Sequence, residues 1–183
     1  MLIALHKPYG VLSQFTVEVE GQRTLAEFGL PKDVYPVGRL DRDSEGLLLL
    51  TDDNARKTRL LDPRGKVAKT YCVQVEGTPD ATALAKLRGG VDIRVSKRTH
   101  RTAPACVSEI GDPGFAERQP PVRFRKTVPT AWLELRITEG KNRQVRRMCA
   151  AVGLPVLRLV RVGVGTYTLG ALPRGVWREV REG

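Results

Sequence analysis

The sequence predicts an α+β fold on a mixed, largely antiparallel sheet. Two observations support this class: segments with strand patterns outnumber those with helix patterns, and neighbouring strands are often joined without a crossover helix. Of the 183 residues, 41% are hydrophobic and 28% charged, which is typical of a globular chain. This length suits one sizeable core, or two small subdomains that share one.

The first half of the chain predicts alternating strands and short helices. A strand at residues 2–5 stops before Pro8, and the four leucines at 47–50 predict a buried strand. Asp52-Asp53-Asn54 can cap a helix that runs to Leu61 and ends at Asp62-Pro63. Alternation then predicts a strand at 69–75, and a helix at 80–88 is closed by Gly89-Gly90.

The second half opens with a segment of different character, residues 91–129. It is rich in arginine, contains a strand-like stretch at 105–110 and continues into a loop rich in proline and glycine, so we expect an exposed basic hairpin or lobe. Clear patterns follow for a strand at 132–138, a helix at 142–152 and a strand at 154–162, with short extended pieces after it.

The charge balance indicates a polyanionic partner. A formal net charge of +11 and a pI near 10.1 cost self-repulsion that a phosphate backbone would offset, so nucleic acid is the first candidate. An acidic membrane surface is the rival. It is disfavoured because the arginines are spread over several segments without a long amphipathic basic helix.

Cysteine usage and the N-terminus predict a cytoplasmic protein. Cys72, Cys106 and Cys149 lack the spacing of a disulfide framework or a zinc site. No signal peptide or membrane span is predicted. Gly163-Val164-Gly165 lacks the third glycine and the Lys-Ser/Thr of a phosphate-binding loop, so we expect no nucleotide cofactor.

The densest cluster of charge lies in the segment Val37–Gly46, directly before the leucine run. It contains three acids and two arginines: Asp41, Asp43, Glu45, Arg39 and Arg42. One interpretation is a solvated surface loop, and the other is a cleft that holds one reactive carboxylate among cations. Such a carboxylate must be ionised, which a nearby arginine favours. Residue chemistry alone does not rank the three acids.

Two further segments carry candidate site residues. The helix at 142–152 separates an apolar face from a sector of three arginines: Arg143, Arg146 and Arg147. Because no acid lies between Glu139 and Glu179, these arginines either pair with acids from elsewhere in the fold, or bind phosphate with one held against a catalytic carboxylate. Tyr71 is either a core tyrosine or a stacking platform for a base.

Four motifs in this order resemble those of a known family. They are His6-Lys7-Pro8-Tyr9-Gly10-Val11-Leu12, the Gly38-Arg39-Leu40-Asp41 turn with Asp43-Ser44-Glu45-Gly46-Leu47, Lys69-Thr70-Tyr71, and Glu139-Gly140-Lys141-Asn142-Arg143-Gln144-Val145-Arg146-Arg147-Met148. The chain is similar over nearly its whole length to bacterial ribosomal RNA pseudouridine synthases of the RsuA/RluE branch. This resemblance implies the pseudouridine synthase fold, with two subdomains, 1–62 with 157–183 and 63–156, flanking a basic active-site cleft.

The resemblance also assigns roles. It implies that Asp41 is the catalytic carboxylate, that Tyr71 stacks on the target uracil, that Arg146 pairs with Asp41 and that Arg39 enters the space left by the flipped nucleotide. Asp43 and Glu45 then support the turn. The remaining expected RNA contacts are Arg42, Lys141, Arg143 and Arg147. The implied reaction converts uridine to pseudouridine without a cofactor or metal.

The chain departs from many relatives in one respect. It starts at the catalytic strand, without the small separate N-terminal RNA-binding domain that many of them carry. We therefore expect one catalytic domain, 1–183, acting as a monomer, with recognition by the catalytic body and the basic segment 91–129. In lacking this domain, the chain resembles the branch member that acts on large-subunit ribosomal RNA, so we expect that RNA as the substrate. The rival classes are a non-catalytic ribosome-binding protein and a nuclease or phosphate-transferring enzyme.

Overall fold

The computed structural model describes residues 1–123 and 125–181. The chain forms two compact units, one made of Met1–Val67 with the chain from Val160 onward, and the other of Ala68–Leu159. No helix in the described ranges is both long and apolar enough to cross a membrane.

Strands outnumber helices among the described residues, which confirms the predicted α+β class. The strands are β1 (Leu2–Lys7), β2 (Tyr35–Pro36), β3 (Glu45–Thr51), β4 (Lys69–Glu76), β5 (Asp92–Val95), β6 (Arg98–Arg101), β7 (Cys106–Ile110), β8 (Thr130–Ile137), β9 (Val156–Val164), β10 (Tyr167–Thr168) and β11 (Trp177–Glu179). The α-helices are α1 (Asn54–Leu61), α2 (Ala81–Gly89) and α3 (Gln144–Ala151).

In the first unit the strands lie in the order β11, β1, β3, β9, with β2 paired to β3 and β10 to β9. Strand β1 is antiparallel to both of its neighbours, whereas β3 and β9 are parallel. Every residue of β3 is buried, which confirms the buried strand predicted from the leucine run. Its core partners include Ile3, Leu5, Val11 and Leu25.

A glycine sets the start of β3. Gly46 has φ 104° and lies opposite Arg161 in the parallel ladder. A Cβ atom at this position would collide with the backbone carbonyl oxygen of Arg161. Only glycine therefore permits the close approach of the two strands directly after the charged turn.

In the second unit β9 begins beside β4, and β8 and β7 follow in an antiparallel order. Helices α2 and α3 and the β5–β6 hairpin complete the unit. Its core includes Val73 and Leu133 from the sheet, Leu87 from α2 and Met148 from α3. Alternation along β8 places Leu133, Leu135 and Ile137 inside and Glu134 and Arg136 outside, as a half-buried strand requires.

Local signals set the starts of the helices, and one of them differs from the sequence prediction. Helix α1 begins where predicted, because the Asp53 carboxylate accepts hydrogen bonds from the N–H groups of Ala55 and Arg56 at 2.8 and 3.0 Å. Helix α3 begins at Gln144 rather than Asn142, since Arg143 has φ 51°, which lies outside the right-handed helical region.

The basic segment 91–129 is not one lobe. It consists of the β5–β6 hairpin, strand β7 and a loop that is described over residues 111–123 and 125–129. The Phe115 ring anchors this loop: it packs at 5.9 Å from the Trp132 ring and under the Arg158 guanidinium at 5.7 Å. Arg158 also donates a hydrogen bond of 3.0 Å to the carbonyl of Ala116.

Candidate active site

The charged turn of the first unit is held on both sides of Asp41. The buried Ser13 hydroxyl donates to the Leu40 carbonyl at 2.7 Å and accepts from the Leu40 N–H at 3.1 Å. On the other side, the Gly10 N–H donates to the Arg42 carbonyl at 2.8 Å. Both backbone neighbours of Asp41 are thus bonded to the segment that follows β1.

That segment is itself fixed by Lys7, whose side chain is fully buried. Its ammonium donates to the carbonyls of Pro8 at 3.0 Å and Val11 at 2.7 Å. Burial lowers the pKa of Lys7 to about 7, and the Arg161 charge acts in the same direction. The carboxylates of Glu45, Asp43 and Asp41 act against this shift.

The three acids of the turn have different surroundings. Glu45 lies within β3 and is 1% exposed, whereas Asp41 and Asp43 are half-buried. Glu45 is also the largest single charge that favours protonated Lys7. A buried carboxylate beside buried cations fits a supporting role, which leaves the two half-buried aspartates as groups that a substrate could reach.

The two arginines of the turn are exposed. Arg39 donates to the side-chain oxygen of Gln14 at 3.4 Å, and the Arg42 guanidinium donates to the Gly10 carbonyl at 3.3 Å. The buried residues Leu40, Ser44 and Glu45 nevertheless belong to the same turn. The segment is therefore a fixed turn with an exposed cationic side, rather than a solvated loop.

Tyr71 lies in β4 of the second unit and is 9% exposed. It belongs to the hydrophobic cluster that contains Leu135, its partner across the β4–β8 ladder. Within the described part of the chain, its hydroxyl makes no hydrogen bond. A tyrosine with a packed ring and an unbonded hydroxyl is compatible with either a core residue or a base platform.

Helix α3 carries Arg146 and Arg147, directly follows Arg143, and is amphipathic as predicted. Val145, Met148 and Cys149 are buried, Arg143 is exposed, and Arg146 and Arg147 are half-buried. Burial raises the pKa of the Cys149 thiol to about 12, and the Arg146 charge opposes that rise.

The loop before α3 is fixed by a network that the sequence did not single out. The buried Gln144 amide accepts from the Lys141 N–H at 2.9 Å and donates to the Glu139 carboxylate at 2.7 Å. Glu139 also bonds His100 at 3.1 Å and accepts from the Ala103 N–H at 2.9 Å. Although burial acts to raise it, these hydrogen bonds leave the pKa of Glu139 below its usual value.

Other basic residues have structural partners. Arg147 donates to the Asn142 carbonyl at 3.1 Å, to the Asn142 side chain at 3.3 Å and to the Arg94 carbonyl. Buried Arg161 donates to the Leu47 carbonyl at 2.8 Å, and Arg158 lies over Phe115. Carbonyls and a ring therefore engage these three arginines, a third possibility beside the acids and phosphates considered from sequence.

The predicted site residues divide between the two units. Arg39, Asp41 and Arg42 belong to the first unit, and Tyr71, Lys141, Arg143, Arg146 and Arg147 to the second. The pairing of Arg146 with Asp41 and the stacking role of Tyr71 stay predictions. Ser13, Gln144 and the structural role of Lys7 could not be predicted from sequence patterns, although Lys7 and Gln144 stand within the motifs that carry the family resemblance.

Comparison with protein families gives a match over residues 1–151 to the RNA pseudouridylate synthase model. A Xanthomonas axonopodis pv. citri protein named ribosomal large subunit pseudouridine synthase E is 62% identical over 174 residues, with 94% of this chain and 90% of that protein covered. A Vibrio parahaemolyticus protein of the same name is 51% identical, with 98% and 74% covered.

Solved structures agree with this match. A crystal structure of a pseudouridylate synthase is 28% identical and superposes with a TM-score of 0.79 over 98% of this chain and 70% of the other. An H/ACA RNP bound to a substrate RNA that contains 2'-deoxyuridine has a TM-score of 0.55 at 17% identity, with 91% of this chain and 48% of that one covered. At that identity the likeness concerns the fold alone.

Proposed function

Since this chain belongs to the RNA pseudouridylate synthase family, we propose that it converts a uridine of large-subunit ribosomal RNA to pseudouridine with Asp41 as the catalytic carboxylate. Family membership makes the protein an isomerase. The names of its relatives support the large-subunit substrate. The observation that carries the choice of Asp41 is the turn itself, in which Leu40 and Arg42 are bonded on either side of a half-buried carboxylate.

The reaction is an isomerisation whose atoms balance without a further reactant. The bond between N1 of uracil and C1′ of ribose breaks, the base rotates, and a bond forms between C5 and C1′. C5 then loses its proton and N1 gains one. Asp41 can attack C1′, add to the uracil ring or remove a sugar proton, and each route needs the ionised carboxylate.

The other candidate residues take supporting roles in this proposal. The target uridine leaves its helix, because the glycosidic bond is not accessible to a side chain in a stacked duplex. Tyr71 stacks on the uracil, Arg146 pairs with Asp41 and directs it, and Arg39 enters the vacated space. Arg42, Lys141, Arg143 and Arg147 contact the RNA backbone, and the net charge of +11 supports such contacts.

Substitution of Asp41 tests the catalytic assignment. We expect Asp41→Asn to abolish pseudouridine formation and to leave RNA affinity near that of the wild type, because the amide keeps the shape and loses the charge. Asp43→Asn is the matched control, since Asp43 is half-buried in the same turn, and it should keep most of the turnover. Tritium release from RNA labelled at C5 of uridine measures turnover. Full activity of Asp41→Asn would overturn the assignment.

Mapping of pseudouridines in ribosomal RNA tests the substrate. We expect one large-subunit position to lose its modification in cells without this protein and to regain it with the wild type, but not with Asp41→Asn. A map that does not change would favour the non-catalytic ribosome-binding protein. We further propose that the protein is cytoplasmic and monomeric, and light scattering of the purified chain would test the monomeric state. The proposal treats the chain as one catalytic domain with two subdomains, one made of residues 1–62 with 157–183 and the other of 63–156.

A further inference from the structure

The β5–β6 hairpin presents an unusual concentration of exposed positive charge. Arg94, Lys97, Arg98 and Arg101 are all exposed, and only Asp92 offsets them within the hairpin. Arg101 lies 3.7 Å from Asp92, whereas the side chains of Arg94, Lys97 and Arg98 have neither a hydrogen bond nor an ion pair with any described residue. Three cations of this short hairpin are therefore available to a ligand.

The hairpin is also held in a defined position on α3. Ile93 is buried in the core of the second unit. The Arg94 carbonyl accepts a hydrogen bond from Arg147 of α3, and His100 bonds Glu139 of the loop before α3. The hairpin that carries these exposed cations is thus fixed against α3 and the loop before it.

The loop after β7, described over residues 111–123 and 125–129, is the alternative basic surface of the same unit. Two of its cations are bonded to the protein: Arg118 donates to the carbonyls of Pro120 and Pro121, and Arg125 pairs with Glu76. Asp112 and Glu117 add negative charge to it. The hairpin is consequently the better match to a polyanion by charge.

We propose that the tip and outer face of the β5–β6 hairpin bind the sugar–phosphate backbone of the substrate RNA through Arg94, Lys97 and Arg98. This inference rests on the proposed function and adds a recognition surface outside the reacting residues. Phosphate contacts of this kind position an RNA without reading its sequence. The hairpin accordingly contributes affinity and orientation, and the site residues contribute the chemistry.

The salt dependence of binding tests the hairpin. The variant Arg94→Gln/Lys97→Gln/Arg98→Gln should bind large-subunit ribosomal RNA transcribed in vitro less tightly than the wild type, by about 10-fold to 100-fold at moderate salt. Each lost phosphate contact lowers the slope of log affinity against log salt by about 0.7 to 0.9, so the slope should fall by about 2 to 3. Fluorescence anisotropy over a salt series gives both quantities.

A matched control separates the effect of charges at the hairpin from the effect of the overall net charge. Lys32→Gln/Arg178→Gln/Arg181→Gln also removes three exposed positive charges, but from the first unit. It should keep the wild-type slope, and thermal unfolding of both variants checks that each remains folded. An unchanged slope for the hairpin variant, or an equal change in both variants, would overturn the inference.

The proposed function is judged by a different measurement on the same samples. Pseudouridine formation by the wild type reports whether the RNA is a substrate. The slope of log affinity against log salt is measured from binding alone and does not depend on this reaction. A wild type that binds through the hairpin but forms no pseudouridine would therefore contradict the proposed function alone.

Discussion

Ser13 shows how one buried side chain can fix the backbone next to the proposed catalytic carboxylate. Ser13 is 4% exposed, and its hydroxyl satisfies both backbone groups of Leu40, the residue before Asp41. A buried N–H or C=O without a partner costs about 1–3 kcal/mol, so this pair of bonds strongly favours one backbone position. Ser13 is thus a positioning residue for the candidate carboxylate.

We expect Ser13→Ala to lower turnover more than RNA affinity, because it frees the backbone before Asp41 without removing a cation. The free energy of unfolding should also fall, by about 1–3 kcal/mol. Single-turnover rates at saturating RNA, compared with dissociation constants, measure the effect on chemistry. Ser108→Ala, at an exposed position of β7, is the control. Loss of stability with an unchanged rate would mean that Ser13 supports the fold alone.

At the scale of elements, the start of α3 is held by side-chain hydrogen bonds in place of a side-chain cap. Its first residue follows Arg143 in a left-handed conformation, and Arg143 forms no side-chain cap. The Gln144 amide instead joins the Lys141 N–H to the Glu139 carboxylate. The position of the arginine-bearing helix start therefore depends on a buried polar network with several members.

We expect Gln144→Met to reduce the free energy of unfolding by about 1–3 kcal/mol, because the Lys141 N–H and the Glu139 carboxylate each lose a partner. Methionine keeps the length of the side chain, so the volume changes little. Urea unfolding followed by circular dichroism measures the change. Gln74→Met, on the half-buried strand β4, should unfold close to the wild type. Equal stability of both variants would contradict the role assigned to Gln144.

The stability of the whole molecule should depend on pH through Lys7. Its pKa is lowered from 10.5 to about 7 by burial, so between these values the unfolded chain holds a proton that the folded chain has released. The unfolded state then binds more protons, and stability rises with pH across this window. Below about pH 7, Lys7 is protonated in both the folded and the unfolded state, so the folded state carries the full free-energy cost of the buried charge.

Comparison with Lys7→Met isolates this contribution. The free energy of unfolding of the wild type, minus that of the variant, should increase by about 1–3 kcal/mol between about pH 6 and about pH 9, since one proton changes stability by about 1.4 kcal/mol per pH unit. Neutral Lys7 still has protons to donate to Pro8 and Val11, so its hydrogen bonds persist. A difference that is constant with pH would mean that Lys7 stays charged in the folded protein.

Much of this molecule could be predicted from patterns of neighbouring residues. The leucine run predicted the buried strand β3, Asp53 predicted the start of α1, and the apolar spacing predicted the buried face of α3. Alternation and helical periodicity are local properties, because the backbone geometry of one element fixes which side chains share a face. The motifs that resemble the pseudouridine synthases are equally local, and they led to the family that the comparisons confirm.

Contacts between distant residues could not be predicted in this way. Ser13 meets Leu40 across 27 positions, His100 meets Glu139 across 39, and Arg161 meets Leu47 across 114. Whether an arginine binds a carbonyl or faces solvent depends on which segments fold against it, and the same holds for the burial of Glu45 beside half-buried Asp41. The sequence thus indicated the kind of chemistry that the charged turn could support. Only the folded structure distinguished buried Glu45, the supporting acid, from half-buried Asp41, the candidate catalytic acid. Burial depends on which segments pack together, and residue order alone does not determine it.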